Sequence, residues 1–296
     1  MGSSAVNSPP FVSIVITVRN EAPHLRDLFD SLLRQQPPFE IVLVDAVSRD
    51  GTRELAGQYA GDHPGIVRVF EHIGSRGIGR NEGARRAKGT ILAFIDGDCL
   101  ADSDWLAQLR RGLHDSAVAA GRTVVVGRAA FAQLERVELY QGSNDVTFPS
   151  CNLAYRRALF LQLGGFDPRF ITAEDIDLNL RAVQSGAQIR YTPDALVYHR
   201  VRPTLVRFLY QAFWNGYGRK QLTEKHGQLW GNYRYRRLLQ GQRSVLAWAR
   251  LAAALAGYFT RVITGGPRRL TGPAPSIATD APSGGAPGES AARDSS

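Results

Sequence analysis

The sequence predicts an α/β fold: a mostly parallel sheet sandwiched by helices, followed by a helical and strongly basic extension. Three observations lead there. Short apolar runs alternate with helix-period patterns through the first hundred residues, as expected of strands and helices stacked in layers. Those runs are uninterrupted, so both faces of each strand are buried, which is the habit of parallel sheets. Asp45 and Asp96 end two of the runs, on the edge of such a sheet where ligands bind. With 296 residues, 44% of them hydrophobic and 21% charged, the chain has ample material for a globular core.

The elements follow in order. Residues 1–10 are polar and read as a disordered N-terminus. They carry no signal-peptide pattern, and Cys99 and Cys151 form no disulfide framework, so a reducing, cytoplasmic setting is expected. Phe11–Val18 is the first strand. Pro23 suits a first helical turn, and Leu25, Leu28, Phe29, Leu32 and Leu33 recur at helical spacing until Pro37-Pro38 stops the helix. Glu40–Asp45 is a buried strand, and Asp50-Gly51-Thr52 opens a helix with Leu55, Ala56 and Tyr59 on one side. Ile66–Phe70 is a third strand, Gly79–Lys88 a helix ended by Gly89, and Thr90–Ile95 a fourth strand. Beyond it come a helix over Asp104–Ser116, a strand over Val118–Val126 and a short helix over Arg156–Leu163. A helix over Glu174–Ser185 carries Glu174, Asp175 and Asp177 in its first turn, beside the positive end of its dipole. Gln188–Tyr191 and Ala195–His199 read as short strands around Pro193.

The last third differs in charge. From Arg200 to Leu270 there are fourteen Lys/Arg against the single acid Glu224, although the whole chain nets only +9. Leu205, Phe208, Leu209, Ala212, Phe213, Gly216 and Tyr217 repeat at helical spacing. Ser244–Ile263 is apolar except for Arg243, Arg250, Gly257 and Arg261, which share one helix face. Arg250 inside that run argues against a membrane-spanning helix. An interfacial helix on an anionic membrane and a helix packed on the body both fit. The division expected is a body over 11–200 in two halves (11–100 and 101–200), a basic amphipathic extension over 201–264 and a disordered tail over 265–296.

Asp96-Gly97-Asp98 carries the chemistry. Two carboxylates spaced i, i+2 after a buried strand point to one face and repel unless a cation or donor lies between them. Mg²⁺ or Mn²⁺ is held in this way, by one or two carboxylates together with the oxygens of a diphosphate. Gly77-Ile78-Gly79-Arg80-Asn81-Glu82-Gly83 is not a dinucleotide fingerprint, because its third glycine falls one residue late and no strand directly precedes it.

Taken together, these pieces resemble the family-2 glycosyltransferases of the GT-A fold. The first strand and its loop, Val12 to Glu21, are similar to the family's opening signature, and Val44-Asp45-Ala46-Val47-Ser48-Arg49-Asp50-Gly51-Thr52 to its second. Gly79-Arg80-Asn81-Glu82-Gly83 matches a third. Ala173-Glu174-Asp175-Ile176-Asp177-Leu178, after Gly164-Gly165-Phe166-Asp167, matches a fourth, and Tyr198-His199 closes the pattern. One departure is Ala46, where many members carry a second acid.

The resemblance implies roles for particular residues. Thr17, Val18, Arg19 and Glu21 would line the base. Asp45 would accept from a base imide or a ribose hydroxyl, or else cap the next helix. Arg80 would approach the base or the diphosphate, and Asp96, with Gly97, the ribose or the sugar. Asp98 would hold the metal, with His199 near it unless His199 is a satisfied strand-end histidine. Asp175 would be the base of an inverting transfer, with Glu174 beside it raising its pKa. Acceptor contacts would fall near Phe148 to Asn152. Implied partners are a nucleotide-sugar donor (UDP before GDP), a glycan or lipid-linked acceptor and an anionic membrane surface reached through 200–263 at the inner face of the cell membrane. Trp214, Tyr217, Trp230, Tyr233 and Tyr235 interleave with the basic residues, but nucleic acid is not expected. A retaining GT-A transferase and a catalytically inactive nucleotide-sugar-binding protein are the alternatives.

Overall fold

The computed structural model describes residues 10–126, 137–200, 204–227, 229, 232 and 245–265. Its first hundred residues fold as β1 (Val12–Val18), α1 (Ala22–Leu33), β2 (Phe39–Asp45), α2 (Thr52–Asp62), β3 (Val67–Glu71), α3 (Arg76–Arg86) and β4 (Ile91–Asp96). Strands β3, β2, β1 and β4 are neighbours in that order and all parallel. Helix α3 begins three residues earlier than its periodicity suggests, because the Ser75 hydroxyl caps it by accepting from the Ile78 N–H.

The second half turns the sheet into a mixed one. β5 (Cys99–Ala101), α4 (Trp105–Gly112) and β6 (Val118–Val126) precede a small hairpin, β7 (Tyr140–Gln141) and β8 (Asn144–Asp145). β9 (Leu153–Arg156), α5 (Arg157–Gln162), α6 (Glu174–Gln184) and β10 (Ile189–Arg200) follow. β9 runs antiparallel between β4 and β6, β10 is parallel to β6, and β5 closes the far edge antiparallel to β10. The two strands expected around Pro193 are one strand, β10, with a register shift between Thr192 and Leu196.

Both faces of the sheet are covered. Leu25, Leu28, Phe29 and Leu32 of α1 and Trp105, Leu106 and Leu109 of α4 pack on one side with Ile14, Ile16, Ile41 and Leu43. Phe160, Phe166, Leu178 and Ala182 pack on the other with Val15, Leu92 and Phe94. Each such fully buried large side chain contributes about 1.5–3 kcal/mol, so the sheet is a rigid platform for whatever its loops carry.

Two helices follow the sheet, α7 (Leu205–His226) and α8 (Val245–Thr264). Two buried acids fasten α7 to the body. Lys225 Nζ donates to Asp167 and to Asp177, both at 2.7 Å, and His226 Nε2 lies 2.8 Å from Asp177. Arg169 and Arg181 complete the cluster. Burial alone would raise both acids, but these cations hold the two carboxyls below the usual carboxylate range. Asp177 is therefore an anchor for α7 as well as a first-turn acid of α6.

The Gly257–Arg261 end of the α8 stripe faces α7, so α8 packs on the helix that is fastened to the body, one of the two arrangements expected for it. Gly257 and Arg261 are buried against α7, and Arg261 pairs with Glu224 at 2.7 Å. A Cβ on Gly257 would lie 1.8 Å from the Phe213 carbonyl oxygen, and one on Gly216 would lie 1.7 Å from that of Ala254. Glycine is required at both positions because the helix backbones touch. Of the disordered segments expected at 1–10 and 265–296, residues 1–9 and 266–296 lie outside the described residues, as do Trp230, Tyr233, Tyr235 and Arg243.

Candidate active site

Parallel register puts the carboxyl ends of three strands side by side. Val18 lies opposite Asp45, and Thr17 lies opposite Asp96. The loops that leave β1 and β2 are zipped together. Ala46 N donates to the Val18 carbonyl, Asn20 N to Ser48 Oγ, Arg49 N to Asn20 Oδ1, and Glu21 N to Thr52 Oγ1. Asn20 and Val47 in these loops, and Ala173 ahead of Glu174, are the described non-glycine residues with positive φ, at 56°, 57° and 63°. Such conformations cost about 1–3 kcal/mol each and persist only where the surroundings impose them. Asn20 and Val47 follow the ends of β1 and β2, and Ala173 precedes Glu174, which reaches Asp96 through Arg80.

Asp45 is fully buried, and Ser48 donates to it from both its N–H and its hydroxyl. It holds the β2 loop in shape and does not cap α2, whose first turn is organised by Asp50 accepting from Thr52 N. Thr17 Oγ1 is buried with no hydrogen-bond partner, a donor and acceptor left over beside the strand ends. Arg19 is exposed, Val18 is buried and Glu21 is half-buried. Gly97 is needed for close approach, since a Cβ there would lie 2.8 Å from Val18 Cγ1 and 3.0 Å from Glu21 Cγ.

Arg80 was expected to face a nucleotide, and the structure gives its guanidinium two other partners. It is 2% exposed, donating from Nη2 to Asp96 Oδ1 at 2.7 Å and from Nη1 to Glu174 Oε1 at 2.8 Å, with its plane over the Phe166 ring. This one cation ties β4 to α6. Desolvation opposes the ionised form of Asp96, yet the Arg80 charge holds its carboxyl below the usual range. Glu174 goes the other way: burial and the neighbouring Asp175 push its carboxyl up against the pull of Arg80. Asp175 is half-buried, with Oδ2 accepting from Ser150 N at 3.2 Å and Oδ1 from Ile176 N at 2.8 Å.

Asp98 and His199 meet. β5 pairs with β10 so that Cys99 lies opposite His199, and His199 Nε2 is 3.2 Å from Asp98 Oδ1, both side chains partly exposed. Burial would lower the imidazole, but the hydrogen bond to Asp98 and the nearby charge of Asp96 carry it up to about 9. Asp98, Cys99 and His199 offer ligand atoms within 4.8 Å of one another. A divalent ion such as Mg²⁺ or Mn²⁺ would displace the imidazole proton and take its place between the Asp98 carboxylate oxygen and the His199 nitrogen, a spacing that suits both ligands. In the Phe148–Asn152 segment, Asn152 is fully buried and fully employed, accepting from Trp105 Nε1 and donating to the carbonyls of Arg122 and Ala195. It is a structural pin. Sequence reasoning missed the Ser48 partnership, which the Asp45-x-x-Ser48 turn could have signalled, and those of Ser150, Lys225 and His226, which span 25 or more positions and leave no local pattern.

Residues 13–165 match the family described as Glycosyl transferase family 2, and residues 91–270 the one described as Glycosyl transferase family group 2. Glycosyltransferase AglE of Haloferax volcanii is 30% identical over 210 residues, which is 66% of this chain and 68% of that protein. The pre-mycofactocin glycosyltransferase of Mycobacterium tuberculosis is 30% identical over 232 residues, 73% of this chain, which spans only about half (48%) of that relative. Among solved structures, the mannosyltransferase PcManGT from Pyrobaculum calidifontis, in complex with GDP-Man and Mn²⁺, superposes with a TM-score of 0.61 at 21% identity, covering 88% of this chain and 77% of that one. That likeness shows the fold, which is of the GT-A type.

Proposed function

The chain belongs to glycosyl transferase family 2, and from that membership we propose that it moves a sugar from a nucleotide-diphosphate sugar to a hydroxyl of a glycan or lipid-linked acceptor, with inversion at the anomeric carbon. The observation that supports this best is the convergence of Asp96–Arg80–Glu174, Asp98–His199 and Asp175 beside one edge of the sheet. The donor carries uridine or guanosine; the GDP-Man in the Pyrobaculum enzyme keeps guanosine open beside Ala46.

Asp98 and His199 would hold the divalent ion. Mg²⁺ or Mn²⁺, when bound, supplies positive charge against the diphosphate as it leaves. The chain's own residues do the rest. Thr17 Oγ1, buried without a partner beside the strand ends, would bond the nucleotide, and the zipped loops after β1 and β2 would shape the place for its base. Arg80 fixes Asp96 and Glu174 as a rigid pair, which makes it a positioning residue. Asp175 takes the proton of the acceptor hydroxyl on a carboxylate oxygen as that hydroxyl attacks the anomeric carbon, while the Ser150 N–H keeps the carboxylate aimed. Glu174 stays paired with Arg80 beside it and holds the start of α6, and with it Asp175, in place.

A thermal-shift panel of nucleoside diphosphates and nucleotide sugars, each with and without Mn²⁺, tests this reading. One base should raise the melting temperature, and more so with Mn²⁺, because a ligand that binds only the folded state stabilises it in proportion to occupancy. A panel in which no nucleotide shifts the transition would sink the proposal.

A further inference from the structure

The inward turn of the Arg261 stripe leaves α8 with the opposite problem. Its solvent face is apolar. Val245, Trp248, Leu255, Phe259, Val262 and Ile263 are 87%, 56%, 46%, 56%, 48% and 83% exposed. Trp248, Leu255, Phe259 and Val262 fall at helical spacing, so they form one continuous stripe along a 20-residue helix. The first turns of α7 add exposed Leu205, Val206 and Tyr210. Soluble surfaces rarely show contiguous apolar area of this extent unless something covers it.

We infer that this apolar face of α8 seats in the interfacial region of an anionic lipid bilayer, with the helix lying in the plane of the membrane. Two occupants could match an apolar stripe, and charge decides between them. The segment from Arg200 to Leu270 carries fourteen Lys/Arg and one acid; Arg200, Lys225 and Arg261 are spent on Asp27, Asp167, Asp177 and Glu224, and the other eleven keep the segment strongly positive. A second copy, docked through the same face by two-fold symmetry, would set that excess of positive charge against itself. Anionic headgroups complement it, each nearby Lys/Arg adding attraction at low salt. No helix among the described residues is long and apolar enough to cross a membrane, so the geometry is that of a helix on the surface. Arg207, exposed beside Leu205 and Val206, gives the first turn of α7 a basic head above an apolar stem. Gly216 and Gly257, by holding the helix backbones in contact, fix α8 as a rigid ledge on α7, which the Lys225 cluster locks to the body. None of this depends on sugar transfer.

The test is co-sedimentation of the full chain with vesicles of phosphatidylcholine alone and of phosphatidylcholine mixed with phosphatidylglycerol. The protein should pellet with the mixed vesicles at low salt, and less so at high salt. Trp248→Ser/Phe259→Ser alters only exposed side chains, so its melting temperature should match the parent while its vesicle affinity falls roughly tenfold or more. A protein that stays in the supernatant with mixed vesicles at low salt overturns the inference, as does a double variant that binds undiminished. A parent that sediments in solution as a dimer while the double variant sediments as a monomer assigns the face to a second copy and overturns it as well.

Discussion

Arg80 is the residue whose replacement is most informative, because one buried guanidinium serves two carboxylates on different elements. Arg80→Met leaves Asp96 and Glu174 without the cation that bridges them; their side chains are only 18% and 12% exposed. Removing one side of a buried ion pair costs about 3–5 kcal/mol. For a fold of this size each kcal/mol lowers the melting temperature by about 2–4 °C, so a drop of roughly 6–20 °C is expected. Arg80→Lys keeps the charge but can reach only one carboxylate, losing one charge-assisted bond of about 1.5–3 kcal/mol, and should fall between parent and Met variant. The pH dependence separates this from mere loss of packing. Asp96 is held below its ordinary value, so its pairing stabilises the fold above that value and is lost as pH falls through the folded pKa. Glu174 is already raised, so its ionisation weakens the fold as pH climbs from its unfolded value of 4.5 toward the folded one, and losing Arg80 raises it further. Both signs make the stability gap between parent and Met variant largest at neutral pH and smallest in acid. Thermal melts from pH 3 to pH 7 measure it. A gap that does not change across that range would refute the bridging role.

Three more outcomes follow from the same geometry. Asp175→Asn should lower kcat by about 10²–10⁴-fold, the usual span for a general base, while nucleotide affinity measured by calorimetry stays at the parent value. Lys225→Met should destabilise by about 3–5 kcal/mol in denaturant melts, because Asp167 and Asp177 are both fully buried. In the parent, those two lowered carboxyls give stability above the ordinary Asp pKa that disappears as pH falls below about 4, so acid should release α7 before it unfolds the sheet, seen as early loss of protection in hydrogen exchange. Gly257→Ala should cost about 1–3 kcal/mol by overpacking the α7–α8 contact and speed proteolysis between those helices, with nucleotide binding unchanged.

Much of the fold was legible because burial leaves a local record. β1, β2 and β4 carry near-continuous apolar runs, as strands covered on both faces do, and the helices between them repeat at 3.6 residues. β5 and β9 escaped detection, being three and four residues long, too short for any period to emerge. Strand ends announced Thr17, Asp45, Asp96 and Asp98 as neighbours. The partnerships that set their electrostatics were not announced, since Arg80 meets Glu174 across 94 positions of sequence. The α8 stripe shows a subtler limit. Periodicity told which residues share a face but not whether that face looks inward. Gly257 within the stripe was the available clue, because a helix that packs backbone to backbone needs a glycine at the crossing.

The central claim is that the carboxylate at position 98, with its histidine partner, holds a divalent ion that a nucleoside diphosphate shares. Electron paramagnetic resonance of Mn²⁺ tests it most directly, because the sharp signal of the free ion vanishes on binding. The parent should quench that signal in the presence of UDP or GDP, and Asp98→Asn should leave it standing at the same protein concentration. Equal quenching by the two proteins, or none by the parent, would contradict the account.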